Sequence, residues 1–85
     1  MHIVSRAMLT AFYTQSRYAD SRDAIEAWFD VATKANWRSP ADVKAAFGNA
    51  SIVGNNRVVF NIKGNDYRLI VAFAYKTQWA YVKFI

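Results

Sequence analysis

Eighty-five residues are enough for one compact domain and too few for two. Hydrophobic residues make up 54% of the chain and aromatics 16%, a composition that builds a packed core and excludes a disordered polar segment. With no cysteine, one histidine and six acidic residues, disulfide scaffolds, thiolate zinc sites and cysteine nucleophiles fall away, no metal or other cofactor is expected, and the net charge of +5 points to polyanionic partners.

Taken along the chain, His2 to Ser5 reads as a short first strand, and Ser5 as the cap of a helix beginning near Arg6. Met8, Ala11, Phe12 and Gln15 share one face of that helix. A second helix is expected from Asp20 as N-cap, with Ile25, Trp28, Phe29 and Ala32 as its buried stripe and Arg22, Glu26 and Asp30 on its polar face. Ser39-Pro40-Ala41-Asp42 then reads as N-cap, proline at the first helical position and an acid at the third, and Gly48 ends this short third helix.

From Ser51 the hydrophobic pattern alternates. Gly54-Asn55-Asn56 forms a turn whose residues tolerate positive φ, and Arg57 to Lys63 follows as a strand. Gly64-Asn65 is the glycine-first dipeptide of a two-residue type II′ hairpin leading into Tyr67 to Tyr75. Pairing Lys63 with Asp66 sets Asn61 opposite Arg68, Val59 opposite Ile70 and Arg57 opposite Ala72 on one face. Val58, Phe60, Ile62, Tyr67, Leu69, Val71 and Phe73 take the other. Lys76-Thr77-Gln78 makes the next turn, and Trp79 to Ile85 is the last strand. No apolar run approaches the roughly 18 residues of a membrane span, and the N-terminus lacks the order of a signal peptide, so a cytoplasmic location is expected.

The charge is uneven. Six basic residues stand against five acids before Gly48, a balance of +1, whereas Arg57, Lys63, Arg68, Lys76 and Lys83 stand against Asp66 alone beyond it, a balance of +4. The all-apolar sheet face must receive the helices to stay out of water. The opposite face then gathers Arg57, Asn61, Lys63, Arg68 and Lys83 around a small apolar patch. Two readings of that face stand side by side: cations that bind phosphates, with affinity falling as salt rises, or solvated residues that keep one side of a sheet wet. Arg68, set in a strand apolar almost throughout, is the least ordinary member.

The remaining chemistry is sparse. His2 has no recognisable positioning partner for general-base work. The helical spacing of Phe12, Trp28 and Phe29 fits core packing. Tyr13, Tyr18, Trp37, Tyr75, Trp79 and Tyr81 offer either base-stacking platforms or structural and interface aromatics. Walker loops, dinucleotide glycine patterns, nucleophile elbows and HExxH are absent.

The run from Gly54 to Val71, GNNRVVFNIKGNDYRLIV, resembles the signature of HigB-type toxins of bacterial toxin-antitoxin modules, and the Trp28 region, Ala35 to Pro40 and Val82 to Ile85 also fit. Such toxins are similar to the RelE superfamily. The resemblance implies an α+β fold, β-α-α-α-β-β-β-β, with the helices packed on one face of a small mainly antiparallel sheet. It also implies a metal-independent endoribonuclease that cleaves mRNA at the ribosome, by attack of a 2′-hydroxyl on the adjacent phosphorus, and is held inactive by a HigA-like helix-turn-helix antitoxin. DNA is then reached only through the antitoxin. On that resemblance Arg68 stabilises charge on the scissile phosphate, Lys63 shares the catalytic site, and Asn61, Arg57 and Lys83 bind the RNA. Members usually continue past the last strand with a segment resembling Gly-Thr-His-Ala-Glu-Tyr-Asp, whose His and Tyr suit proton transfer. The sequence stops at Ile85, so the expectation is one toxin domain, 1–85, without that catalytic segment. Losing such groups costs about two to four orders of magnitude in rate. His2 or Tyr67 then become the residues to search for proton transfer, and the alternative function is a non-catalytic RNA- or antitoxin-binding module.

Overall fold

The computed structural model describes all 85 residues, Met1 to Ile85. Strand β1 (His2–Val4) leads into helix α1 (Arg6–Tyr13), a 3-10 segment (Ser16–Ser21), α2 (Arg22–Lys34) and α3 (Pro40–Ala46), followed by β2 (Ser51–Val53), β3 (Arg57–Ile62), β4 (Tyr67–Ala74) and β5 (Trp79–Phe84). The five strands form one sheet in the order β1-β5-β4-β3-β2, parallel at β1–β5 and antiparallel elsewhere. This is the α+β arrangement the sequence implies, with the helices on one face.

Local chemistry explains the helix starts. The Ser5 hydroxyl accepts from the Met8 amide at 3.3 Å, capping α1. Pro40 opens α3, and the Asp42 carboxylate reaches back to accept from the Arg38 amide at 2.9 Å. At α2 the expectation differs from the structure: Asp20 lies inside the 3-10 segment, Ser21 holds the N-cap position, and the Asp20 side chain is committed elsewhere. On α1 the inward residues are Leu9 and Tyr13, while Met8 is exposed. Met8, Ala11, Phe12 and Gln15 line a shallow groove with Phe84 and Ile85 instead.

Ile25, Trp28 and Ala32 of α2 pack down onto the sheet, with Phe29 half-buried beside them. The Trp28 and Phe60 rings meet edge to face at 5.3 Å, and Phe47 closes on Phe60 at the same separation. Every second residue of the central strands feeds this core: Val58, Phe60 and Ile62 of β3, and Leu69, Val71 and Phe73 of β4, are all buried. Turn chemistry sets the register. Asn55 and Asn56 both adopt positive φ between β2 and β3, where asparagine is tolerated. Between β3 and β4, the Asp66 amide donates to the Lys63 carbonyl at 3.2 Å and Gly64 takes a φ of 66°. The resulting pairs include Asn61 with Arg68, Val59 with Ile70 and Arg57 with Ala72, as the hairpin spacing requires.

Candidate nucleic-acid interface

The face of the sheet turned away from the helices is uncovered. Alternation places on it Arg57, Val59 and Asn61 from β3, Arg68, Ile70, Ala72 and Ala74 from β4, and Trp79 and Tyr81 from β5, none of them buried. The centre is a trough, because Ala72 and Ala74 leave β4 low between the side chains of its neighbours. One cross-strand row runs Tyr81, Ala72, Arg57, so the backbones that carry an aromatic ring and a guanidinium stand on either side of the trough about 10 Å apart, two strand spacings.

Arg68 and Asn61 face one another at the hairpin end of this surface. Arg68 is exposed, and the Asn61 side-chain amide donates to the Asn49 carbonyl at 3.4 Å, which fixes its orientation. Lys83 reaches the same side by a β-bulge: Ile70 pairs with Phe84 and Val71 with Val82, leaving Lys83 as the extra residue. Its ammonium lies 5.6 Å from the centre of the Tyr81 ring. The protein's three ion pairs are Arg6–Glu26, Lys34–Asp30 and Lys63–Asp20, so Arg57, Arg68 and Lys83 carry no carboxylate partner. Five of the six acids lie in the helical part of the chain and the sixth, Asp66, in the β3–β4 turn. The open face is therefore cationic without internal compensation.

Lys63 departs from its expected place on this face. Its backbone takes a φ of 52°, in the left-handed region, which ends the two-residue alternation at Ile62. The ammonium sits 2.6 Å from Asp20 Oδ2, and the Tyr67 hydroxyl donates to Asp20 Oδ1 at 2.5 Å. Tyr67 itself packs edge-on against Phe12 and Tyr18, on the helical side. Hydrogen bonds from Lys63 and Tyr67 hold the Asp20 carboxyl below the usual carboxylate range, and the same carboxylate raises the Lys63 ammonium and pushes the Tyr67 phenol up to about 12. Asp20 had no local signature for this role, being 43 residues from Lys63 in sequence.

The two residues considered for proton transfer are also displaced from Arg68. Tyr67 keeps its proton in the bond to Asp20. His2 packs on Trp79 with ring centres 4.2 Å apart, and Trp79 pairs with Ala74, six residues along β4 from Arg68, about 20 Å. Of the other aromatics, Tyr13 and Trp37 are buried, Tyr18 stacks on Phe12, Tyr75 stacks on Phe73, and Trp79 and Tyr81 present rings on the open face, while Phe84, 63% exposed, stands opposite Ile70. A cleft of about 490 Å³ lined by Asn36, Arg38, Tyr75, Lys76 and Gln78 lies at the β4–β5 turn, the far end of β4 from Arg68. No three His, Asp or Glu side chains converge as metal ligands, and no helix is long and apolar enough to cross a membrane.

A search of curated proteins gives no match. A family model described as HigB_toxin, the RelE-like toxic component of a toxin-antitoxin system, matches residues 21–85, which take in α2, α3 and strands β2 to β5 and thus most of the cationic face. The chain therefore belongs to the HigB toxin family, the RelE-like toxic component of a toxin-antitoxin system, and its membership implies an antitoxin partner.

Proposed function

We propose that this toxin is an endoribonuclease that binds mRNA across the open sheet face and cleaves it on the ribosome, in the cytoplasm. The observation that carries the reading is the set of unpaired cations, Arg57, Arg68 and Lys83, on a face bearing no acid. A polyanion is the ligand that such a face discriminates for, and an exposed guanidinium offers phosphate a fork of donors. In the reaction, the ribose 2′-oxygen attacks the adjacent phosphorus and the bond to the 5′-oxygen breaks. The products are a 2′,3′-cyclic phosphate and a 5′-hydroxyl, with one proton passing from the 2′-oxygen to the leaving oxygen, so atoms balance without water or metal. Arg68 stabilises the charge that builds on the non-bridging oxygens. Asn61 orients the strand beside it, and Arg57 and Lys83 hold flanking phosphates. Lys63 joins the site by exchanging Asp20 for a phosphate oxygen. Neutralisation falls to a HigA-like helix-turn-helix antitoxin, which also carries any contact with DNA.

The test is incubation of the purified protein with translating ribosomes and a defined mRNA, mapping new 5′ ends beside an Arg68→Ala control. Cuts that vanish with Arg68→Ala while the variant melts normally support the reading. Cuts retained in the variant remove Arg68 from the mechanism. Absence of cuts with retained binding to RNA or antitoxin leaves the non-catalytic module of the same fold as the function.

A further inference from the structure

The cations account for the phosphates of a bound strand and leave one feature of the open face unused. Trp28 and Trp37 are buried at 2% and 6% exposure, whereas Trp79 is 40% and Tyr81 37% exposed. Large exposed aromatics normally gain by covering, yet on the β4 side the cross-strand neighbours of these two are Ala74 and Ala72, too small to cover them, and only His2 and Val4 flank them on the β1 side. Their rings are close to parallel, 27° apart with centres separated by 6.1 Å. His2 packs against Trp79 and the Lys83 ammonium lies over Tyr81, contacts that hold both rings while leaving each more than a third exposed.

We propose that Trp79 and Tyr81 form a base-stacking platform for single-stranded RNA, with His2 as the residue that positions the Trp79 ring. The proposal rests on the reading of this face as an RNA surface. Across the trough from Tyr81 stands Arg57, so a strand lying along β4 directs its phosphates to the cations of β3 and its bases to the rings of β5. Charge chooses the occupant: an acid-free cationic rim beside exposed flat rings matches a ligand that alternates phosphate and aromatic base. Stacking tolerates any base, so the platform adds affinity and sets the register of the strand relative to Arg68 without reading sequence.

Trp79 supplies its own reporter, being the one indole outside the core. The experiment titrates the full chain with a short 2′-O-methyl oligonucleotide, which lacks the attacking hydroxyl, and with an abasic strand of the same length and charge. Fluorescence anisotropy of the labelled strand reads binding, and tryptophan emission reads stacking. The expected result is quenching by the oligonucleotide and none by the abasic strand, with the abasic strand bound more weakly. Trp79→Leu removes the quenching, and Trp79→Leu and Tyr81→Leu each weaken binding by roughly 5- to 150-fold. The salt dependence stays unchanged, since the phosphate contacts are intact. Binding that needs Arg57 and Arg68 but is equal for the two strands and leaves emission unchanged overturns the platform while sparing the RNA surface. Failure of both strands to bind overturns both. The ligand comparison uses the unaltered protein, so it decides the matter even where a substitution disturbs folding.

Discussion

The two faces of the five-stranded sheet are built from alternate residues of the same strands and differ in nearly every physical respect. On the helix-covered face, Val58, Phe60, Leu69 and Val71 are at most 1% exposed and share one core with Trp28, where the Phe60 ring meets Trp28 and Phe47. One residue away in each case, Arg57, Asn61, Arg68 and Ile70 are exposed or half-buried, and the cations among them have no acid to pair with. A domain with no cysteine and one sheet has to draw its stability from the first face. The second face keeps unpaired charge and exposed rings. On the proposed reading of the open face, stability and function are separated by a single step along the chain.

Substitutions on the two faces sharpen this comparison. The largest effect is expected at Phe60, where Phe60→Ala removes the ring between Trp28 and Phe73 and costs about 3–5 kcal/mol in urea unfolding. Its β4 counterpart on the open side, Arg68→Ala, leaves unfolding within about 0.5 kcal/mol but lowers the rate of mRNA cleavage by about 100- to 1,000-fold. Equal losses of stability at the two positions would erase the distinction between the faces. A smaller effect is expected from Arg57→Gln or Lys83→Gln. Each flattens the slope of log affinity against log salt for single-stranded RNA by about 0.7, with little change in the melting temperature.

The smallest effects concern the Asp20–Lys63–Tyr67 contact, which is exposed. The Tyr67 phenol, raised to about 12, favours the protonated form in the folded state, so its contribution is complete below pH about 10 and lost as pH rises towards 12. Asp20 is lowered, and its contribution is present above pH about 4 and lost as pH falls below that. Spectrophotometric titration should show Tyr67 ionising at about 12, and Asp20→Asn should return it towards 10. A titration unchanged by Asp20→Asn would remove the contact from the account.

Much of this division was legible in the sequence because it is local. The Gly64-Asn65 turn and the two-residue period were enough to pair Asn61 with Arg68 and to assign Val58, Phe60, Leu69 and Val71 inward. What escaped depends on distant partners. Lys63 follows the period on paper, but its left-handed backbone and the Asp20 carboxylate from the 3-10 segment draw it off the open face. Asp20 resembles an N-cap in a linear reading for the same reason that it bonds Lys63 and Tyr67 in the fold: a short carboxylate at a helix start is free to turn either way. Helix α1 shows a comparable ambiguity. Both Met8/Ala11/Phe12/Gln15 and Leu9/Tyr13 have helical spacing, and only the position of α2, whose Glu26 accepts from the Tyr13 hydroxyl, selects the second pair. The parallel pairing of β1 with β5 joins the two ends of the chain, so nothing local forecasts that His2 meets Trp79.

The central claim is that RNA lies on the open face and not on the helices. Backbone amide NMR of the uniformly labelled protein, recorded with and without an uncleavable single-stranded RNA, tests it most directly. Shifts concentrated at Arg57, Asn61, Arg68, Ala72, Tyr81 and Lys83 are expected, with α1 and α2 unmoved. Shifts centred on Arg6, Arg22 and Lys34 instead would place the ligand on the helical layer and contradict it.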